Sequence, residues 1–411
     1  MILSMAFRNI KRNKRRSFLA ALSVCLSLFL ISILQGFIGG TLDSMVKNIV
    51  RTESGHIRIA SSEYLAQSRF MPLQYPVKNY KKLIELLKAD PELAKEMRLI
   101  APRIMMSIML GDESGSKPAM MIAGDPETEK ELLLLQNSII AGAYDFGQNG
   151  AIIGSSLAKE LGYGIGDSFT IMSQGADWGL AFRTFTISGI FETGVSSLDD
   201  SVLQLDIASA TDFLNMGEDV QQLQIMLRDF GRAEEIAERI KTLLAPLYPE
   251  IEAQAWTEIG EYPRMIKLIE DIYFVIYIIV AFLGTFIISN IMMMVVLERK
   301  KEIGILKSMG MKNNLIMRMF LIEGSLLGLA GSLAGLFFGN LFNLVFSILG
   351  MDFSKMLYSI RMPIDNVLYT RISLLDSLFF LLLGVFTSAI ISYLPARRAA
   401  RLNATEAIRS V

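Results

Sequence analysis

The sequence predicts a membrane protein of four transmembrane α-helices, with a large α+β extracytoplasmic domain inserted between helices 1 and 2. Three observations carry this. Four blocks are almost free of charge and each is long enough to span a bilayer. Basic residues gather at one end of each block. The stretch between the first two blocks is acidic and reads as an ordinary soluble domain.

The 411 residues are 52% hydrophobic and 20% charged, and their mean hydropathy is +0.42. A soluble domain of this size carries more charge and less continuous apolar sequence. Crossing the hydrocarbon needs ~20 apolar residues. Residues 18–38 meet that length, interrupted only by serines, Gln35 and Gly36. A signal peptide is the rival reading, but the run exceeds the usual ~7–15-residue apolar core and no Ala-x-Ala follows it. Leu22-Ser23-Val24-Cys25 loosely suggests a lipoprotein signal. Val24 is the wrong residue before the cysteine, and apolar sequence continues past it. Residues 18–38 therefore read as an uncleaved span. Residues 272–297 carry no charge, 319–349 hold Glu323 near their start, and 374–394 have Asp376 close to one end.

The basic flanks set the orientation. Arg8, Lys11, Arg12, Lys14, Arg15 and Arg16 precede the first span. Arg299, Lys300, Lys301, Lys307, Lys312 and Arg318 lie between the second and third, and Arg397, Arg398, Arg401 and Arg409 follow the fourth. Residues 1–17, 298–318 and 395–411 are thus expected in the cytoplasm, with both termini inside. Residues 39–271 and the short loop 350–373 are expected on the far side of the membrane.

The outer segment carries 21 Lys and Arg against 34 Asp and Glu. It offers no basic face, which excludes nucleic acid as a partner. Residues 39–52 continue the first helix outward as a stalk. A strand at 56–60 precedes a charged helix at 79–97, broken by the helix-start pair Asp90-Pro91. A strand at 99–110 then runs into the turn 111–116. Gly162, Gly164 and Gly166 punctuate residues 161–167 before a strand at 168–172. Their spacing is wrong for a dinucleotide loop, and a strand rather than a helix follows, so a tight turn is the better account. Alternation marks a strand at 182–191, and 232–244 reads as an amphipathic helix. Both ends of the segment enter the membrane. The economical layout is a base subdomain from about 39–119 and 205–271, with about 120–204 inserted.

Chemistry is sparse. Cys25 and His56 are the only residues of their kinds. One chain can form no disulfide and no zinc site of Cys or His ligands, so no metal is expected. His56 sits in a strand-like segment and reads as a polar residue on a half-exposed strand, and no catalytic residue is assigned. No Walker sequence occurs, because Gly111 to Lys117 fails the spacing and Pro118 follows. Energy for any work must come from another subunit.

Three features remain. Glu323, an intramembrane acid, lies about one turn inside the cytoplasmic boundary, where it could reach the interface or Arg318. Gly324, Gly328, Gly331, Gly335 and Gly339 let helix backbones approach, within the chain or against a partner membrane protein. The segment from Glu298 to Gly310 is charged and helix-like up to Gly304. It holds Ile303, Ile305, Leu306 and Met309, which need not be buried by their own chain. Such a face docks into something.

The run Leu297-Glu298-Arg299-Lys300-Lys301-Glu302-Ile303-Gly304-Ile305-Leu306-Lys307-Ser308-Met309-Gly310 resembles the signature after the second span of FtsX-like, or MacB-type, ABC transporter permeases. Glu323-Gly324 and the glycine-rich third span extend the likeness. So does the ending from Pro395 to Arg409, where Asn403-Ala404 stands in place of the family's common Asp-Pro. Residues 152–171, with Gly166-Asp167, are similar to the family's outer domain. The resemblance implies a MacB-like periplasmic domain, a homo- or heterodimer of permeases, and two copies of a cytoplasmic ATPase that uses ATP and Mg. This chain itself would be non-catalytic and bind no cofactor. Glu298, Arg299, Lys301, Glu302, Ile303, Gly304, Ile305, Leu306, Met309 and Gly310 would form the coupling helix against that ATPase.

Work would pass by mechanotransmission from spans and stalks to the outer domain. The lack of a polar stripe in the spans agrees with that. Layout favours the lipoprotein-releasing branch (LolC and LolE type) acting on an amphiphilic substrate such as lipoprotein. Leu34-Gln35-Gly36-Phe37 is similar to the Asn-Gly-Phe of Lol permeases, with Gln35 departing from it. A MacB-like toxin or drug exporter, whose fused ATPase is not seen here, is one alternative. A non-transporting FtsX-like relay to a cell-wall hydrolase is the other.

Overall fold

A computed structural model describes residues 2–112, 115–147, 149–357 and 363–403. The expectations for Glu113 and Ser114 in the turn, and for Ala404, Thr405, Glu406, Ala407, Ile408 and Arg409 in the ending, fall outside these residues. The chain divides into two compact units. One comprises 1–42, 266–351 and 368–411, and the other comprises 43–265 and 352–367.

Helices make up the first unit: α1 (Ile2–Arg12), α2 (Lys14–Ile49), α3 (Tyr262–Glu298), α4 (Lys300–Ser308), α5 (Asn313–Leu349) and α6 (Leu374–Arg401). Four of them, α2, α3, α5 and α6, are long and apolar enough to cross a membrane. Ala20, Val24, Leu28 and Ile31 of α2 recur at helical spacing and are fully buried, together with Ala281, Ile288 and Met292 of α3 and Phe320 of α5. The outward faces keep Leu26, Leu30, Leu283, Phe337 and Phe386 exposed. Exposed apolar side chains of this kind suit a lipid solvent, in which backbone groups must be satisfied within each helix.

Helix α5 forms despite its five glycines, each of which costs up to about 1 kcal/mol relative to alanine. Close approach of neighbouring helices offsets that cost. A Cβ at Gly324 or Gly328 would fall on Ser392 or Ser388 of α6. At Gly331, Gly335 or Gly339 it would meet Ala21, Cys25 or Ser32 of α2. The stripe therefore serves two neighbours within the chain.

In the second unit the described residues form a ten-stranded mixed sheet. Its strands are β1 (Ile57–Ser61), β2 (Met97–Asp112), β3 (Gly115–Gly124), β4 (Ile139–Gly142), β5 (Gly150–Gly154), β6 (Ser168–Gln174), β7 (Leu180–Phe191), β8 (Val202–Asp206), β9 (Gln222–Leu227) and β10 (Ile251–Ala255). The order is β10-β1-β9-β2-β3-β8-β5-β7-β4, with β6 pairing with β2 and β7. Pairs β3–β8 and β5–β7 are parallel and the rest antiparallel.

Alternate residues enter two cores. Ile104, Ile108, Met121 and Ile153 join the larger one, and Met105, Ile122 and Ile152 join a smaller one on the other side. Helices Tyr80–Ala89 and Ala233–Leu244 cover the larger core with Leu83, Leu87, Ile236, Ile240 and Leu244. Asp90 caps the helix Pro91–Glu96 by accepting from Glu92 and Leu93 amides at 3.0 Å each. Gly162 and Gly166 take φ of +72° and +87° in the turn before β6, and Asp167 accepts from the Gly164 amide at 2.7 Å.

Within this unit the end of the α2 stalk, a π-turn at Val50–Ser54, is held by one side chain. Arg103 of β2 donates to the carbonyls of Arg51 (2.9 Å) and Thr52 (2.8 Å) and to Gln224 (2.8 Å). It also pairs in two-pronged fashion with Glu129 at 2.9 and 2.5 Å. Both partners are wholly buried. Gly124 lies beneath Glu129, where a Cβ would collide with the carboxylate. Nothing in the spacing of Arg103 and Glu129 announces this pair, because it arises only when β2 and the helix Pro126–Leu132 come together.

Candidate coupling site

Helix α4 runs through Gly304 to Ser308, four residues beyond the expected end. Glycine is tolerated there because Gly304 lies on the inner face, where it and Ile303 (1% exposed) are buried by their own chain. Ile303 is thus a core residue, contrary to the expectation that its side chain is available for docking. The outer face follows the helical repeat Lys301, Ile305, Ser308 and Met309. Ile305 is 52% and Met309 78% exposed, and Leu306 is half-buried. Gly310 closes the segment with φ +88°, a conformation that suits a residue without Cβ.

The helix is fixed from several directions. Glu302 accepts from Arg12 of α1 at 2.7 Å and from Arg299 at 2.8 Å. The hydrogen bond from Arg12, followed by that from Arg299, holds its carboxyl below the usual carboxylate range. Arg299 also donates to Asn9 at 2.8 Å, and Asn9 donates to Glu323 at 3.4 Å. Glu298 pairs with Arg16. At the other end Lys307 donates to the carbonyls of Ala400 and Leu402, at 2.6 Å each. These are terminal carbonyls of α6, the groups a helix end leaves without partners. Burial lowers the Lys307 ammonium from its ordinary range.

Glu323 therefore does not reach Arg318, which is exposed. It is buried and accepts from Asn9, whose own side-chain oxygen accepts from Arg299. The two acids singled out by sequence, Glu302 and Glu323, belong to one chain of contacts through Arg299 and Asn9. Asn9, Arg12 and Lys307 were missed as partners. The signal for α1 was present in Met5-Ala6 and Asn9-Ile10, whose i, i+4 spacing places an inward face on a segment otherwise read as a basic flank. Gln35, the departure from the Lol-like pattern, donates to Asp376 at 2.6 Å and so links α2 to α6.

Among the described residues no group of His, Cys, Asp and Glu is placed to hold a metal. The arrangement presents a small apolar patch on a braced helix.

Residues 17–243 match the family model described as MacB-like periplasmic core domain, and residues 274–404 match FtsX-like permease C-terminal. The chain is similar to the lipoprotein-releasing system transmembrane protein LolC of Xylella fastidiosa, with 23% identity over 427 residues, 99% of this chain and 98% of that one. It is 24% identical over 347 residues to the LolE protein of Haemophilus influenzae, 81% and 82% of the two chains. It is 26% identical over 268 residues to the macrolide export ATP-binding/permease protein MacB of Nitrobacter winogradskyi, 62% of this chain and 38% of that protein. Among solved structures, the periplasmic region of MacB from Actinobacillus actinomycetemcomitans aligns with a TM-score of 0.36 and 12% identity, over 54% of this chain and 95% of that one.

Proposed function

The chain belongs to the permeases that combine a MacB-like periplasmic core domain with an FtsX-like C-terminal region, and is an ABC transporter permease of the LolC/LolE and MacB type in the bacterial inner membrane; on that premise we propose that it releases lipoprotein from that membrane by mechanotransmission. The observation that carries the coupling half of this reading is helix α4. Ile303 and Gly304 bury its inner face and Glu302 and Lys307 tie it to neighbouring helices, while Ile305 and Met309 are exposed. A rigid helix with an apolar outer face suits a groove in a separate cytoplasmic ATPase, which would bind ATP and Mg and hydrolyse the nucleotide. Both termini would then lie in the cytoplasm, as the basic flanks argue.

Movement of α4 would pull on α1 through Arg12, on α5 through the contacts of Arg299 and Asn9, and on α6 through Lys307. The stalk of α2 would deliver motion into the outer sheet at Arg103. Lipoprotein as cargo rests on the end-to-end similarity to LolC. A second copy or a related permease would complete the dimer.

Mass spectrometry of what co-purifies with the tagged chain from gently solubilised native membranes tests the reading. A Walker-containing ATPase together with acylated proteins is the expected result. An ATPase with a cell-wall hydrolase and no acylated cargo would move the function to an FtsX-like relay. Absence of any ATPase would overturn the coupling assignment itself.

A further inference from the structure

A cavity of about 470 Å³ opens between the ends of α3 and α6. Met293, Val296, Leu297 and Leu394 form an apolar wall, and Arg397, Arg398 and Arg401 stand beside Leu402 at its rim. The three arginines sit at i, i+1 and i+4 on the last turns of α6, so helical geometry gathers their guanidinium groups on one side. The Arg398 guanidinium rests 3.7 Å from the Met293 sulfur, which draws it over the opening. Among the described residues no carboxylate lines the cavity. Both walls are membrane-crossing helices, at the end where basic residues gather.

We infer that this cavity is a binding site for one anionic phospholipid, with its phosphate held by Arg397, Arg398 and Arg401 and an acyl chain against Met293, Leu297 and Leu394. Guanidinium groups bind phosphate oxygens in paired hydrogen bonds, and basic pockets between spanning helices suit anionic headgroups. A carboxylate from a protein partner would satisfy the arginines but leave the apolar wall without a match. A phospholipid satisfies both at once. The contrast with a second concavity in the same unit is informative. That one, of about 440 Å³, is lined by Lys11, Arg12, Asn13, Lys14, Arg15, Arg16 and Glu298. It has no apolar wall, and an acid already occupies Arg16. The lipid site also adjoins the anchor of the coupling helix, since Lys307 binds the carbonyls on either side of Arg401.

The test is native mass spectrometry of the full chain with its co-purifying subunits, exchanged into micelles holding phosphatidylglycerol and phosphatidylcholine of the same acyl chains. The wild type should retain phosphatidylglycerol preferentially. R397Q/R398Q/R401Q should lower that retention by roughly tenfold or more, and R398Q/R401Q, a milder change, should lower it in the same direction. R8Q/K312Q/R318Q removes as many charges from the cytoplasmic side and should retain the lipid. Undiminished retention by both pocket variants would overturn the site. Equal loss in the control would reduce it to diffuse surface charge. Displacement by glycerol phosphate as effective as by the lipid would mark a site for free phosphate. Loss of the ATPase with lipid retained would mark a protein contact.

Discussion

Arg12 and Glu302 meet at 2.7 Å, joining the N-terminal helix α1 to helix α4 across 290 positions of sequence. Their side chains are 53% and 46% exposed, so the pair adds only about 0–1 kcal/mol to stability. Its value is directional. It holds α4 against α1 while Arg299 ties the same carboxylate to Asn9.

Charge exchange tests that role. E302R alone should weaken ATPase stimulation by substrate, by about tenfold, because two guanidinium groups then face a third. R12E/E302R should recover part of the loss, since one pair is remade. Thermal stability should barely move in either. Equal activity in the two variants would show that the pair does not position the helix.

Gly304 should tolerate no large side chain. G304W would place an indole on the buried face and displace α4, costing ~1–3 kcal/mol of local packing. Loss of ATPase co-purification is expected while the outer domain keeps its melting transition. Retained co-purification would count against the coupling assignment.

Removing one partner of the Arg103–Glu129 pair leaves a charge buried without compensation. E129Q or R103M should destabilise the outer domain by ~3–5 kcal/mol. R103M should in addition uncouple ATP hydrolysis from cargo release, because it frees the stalk carbonyls of Arg51 and Thr52. Protease resistance of the full chain and a coupled release assay read the two effects separately.

Packing of α5 should be equally sensitive. A Cβ at Gly331 would lie 2.5 Å from the Ala21 carbonyl oxygen and 2.7 Å from the Val24 Cβ. G331V should therefore force α2 and α5 apart, at ~1–3 kcal/mol or more, and lower yield from the membrane. Substitution of the exposed Leu333 by alanine is the matched control and should have little effect.

His56 gives a pH dependence of known sign. Its Nδ1 accepts from the Leu227 amide at 2.9 Å, and burial, with Arg98 nearby, lowers its pKa from 6.5 to about 4. The unfolded chain binds this proton first, so stability is full above pH 6.5 and falls as pH drops towards 4. Glu53 and Asp199 act oppositely, since burial raises both carboxyls. The difference between wild type and H56N isolates the histidine. The Tm of wild type should fall more than that of H56N between pH 7 and pH 5.

The spans, their basic flanks and the glycine stripe were legible in the sequence because each is local and follows from composition or helical spacing. Helix α4 was legible only in part. Its period was visible, but which of Ile303 and Ile305 faced inward depended on the helices packed around it, among them α1, whose own amphipathic spacing was masked by its charge. The Arg103–Glu129 pair and the order of the sheet depend on contacts between residues far apart in sequence. A parallel partner such as β8 for β3 leaves no trace in either strand's own alternation.

The most direct measurement is site-specific photo-crosslinking in native membranes, with a benzophenone amino acid at 305, 309 or 318. The account predicts crosslinks from 305 and 309 to one Walker-containing ATPase, and none from the exposed position 318. No ATPase adduct from either 305 or 309, or equal adducts from 318, would contradict a coupling helix that docks through Ile305 and Met309.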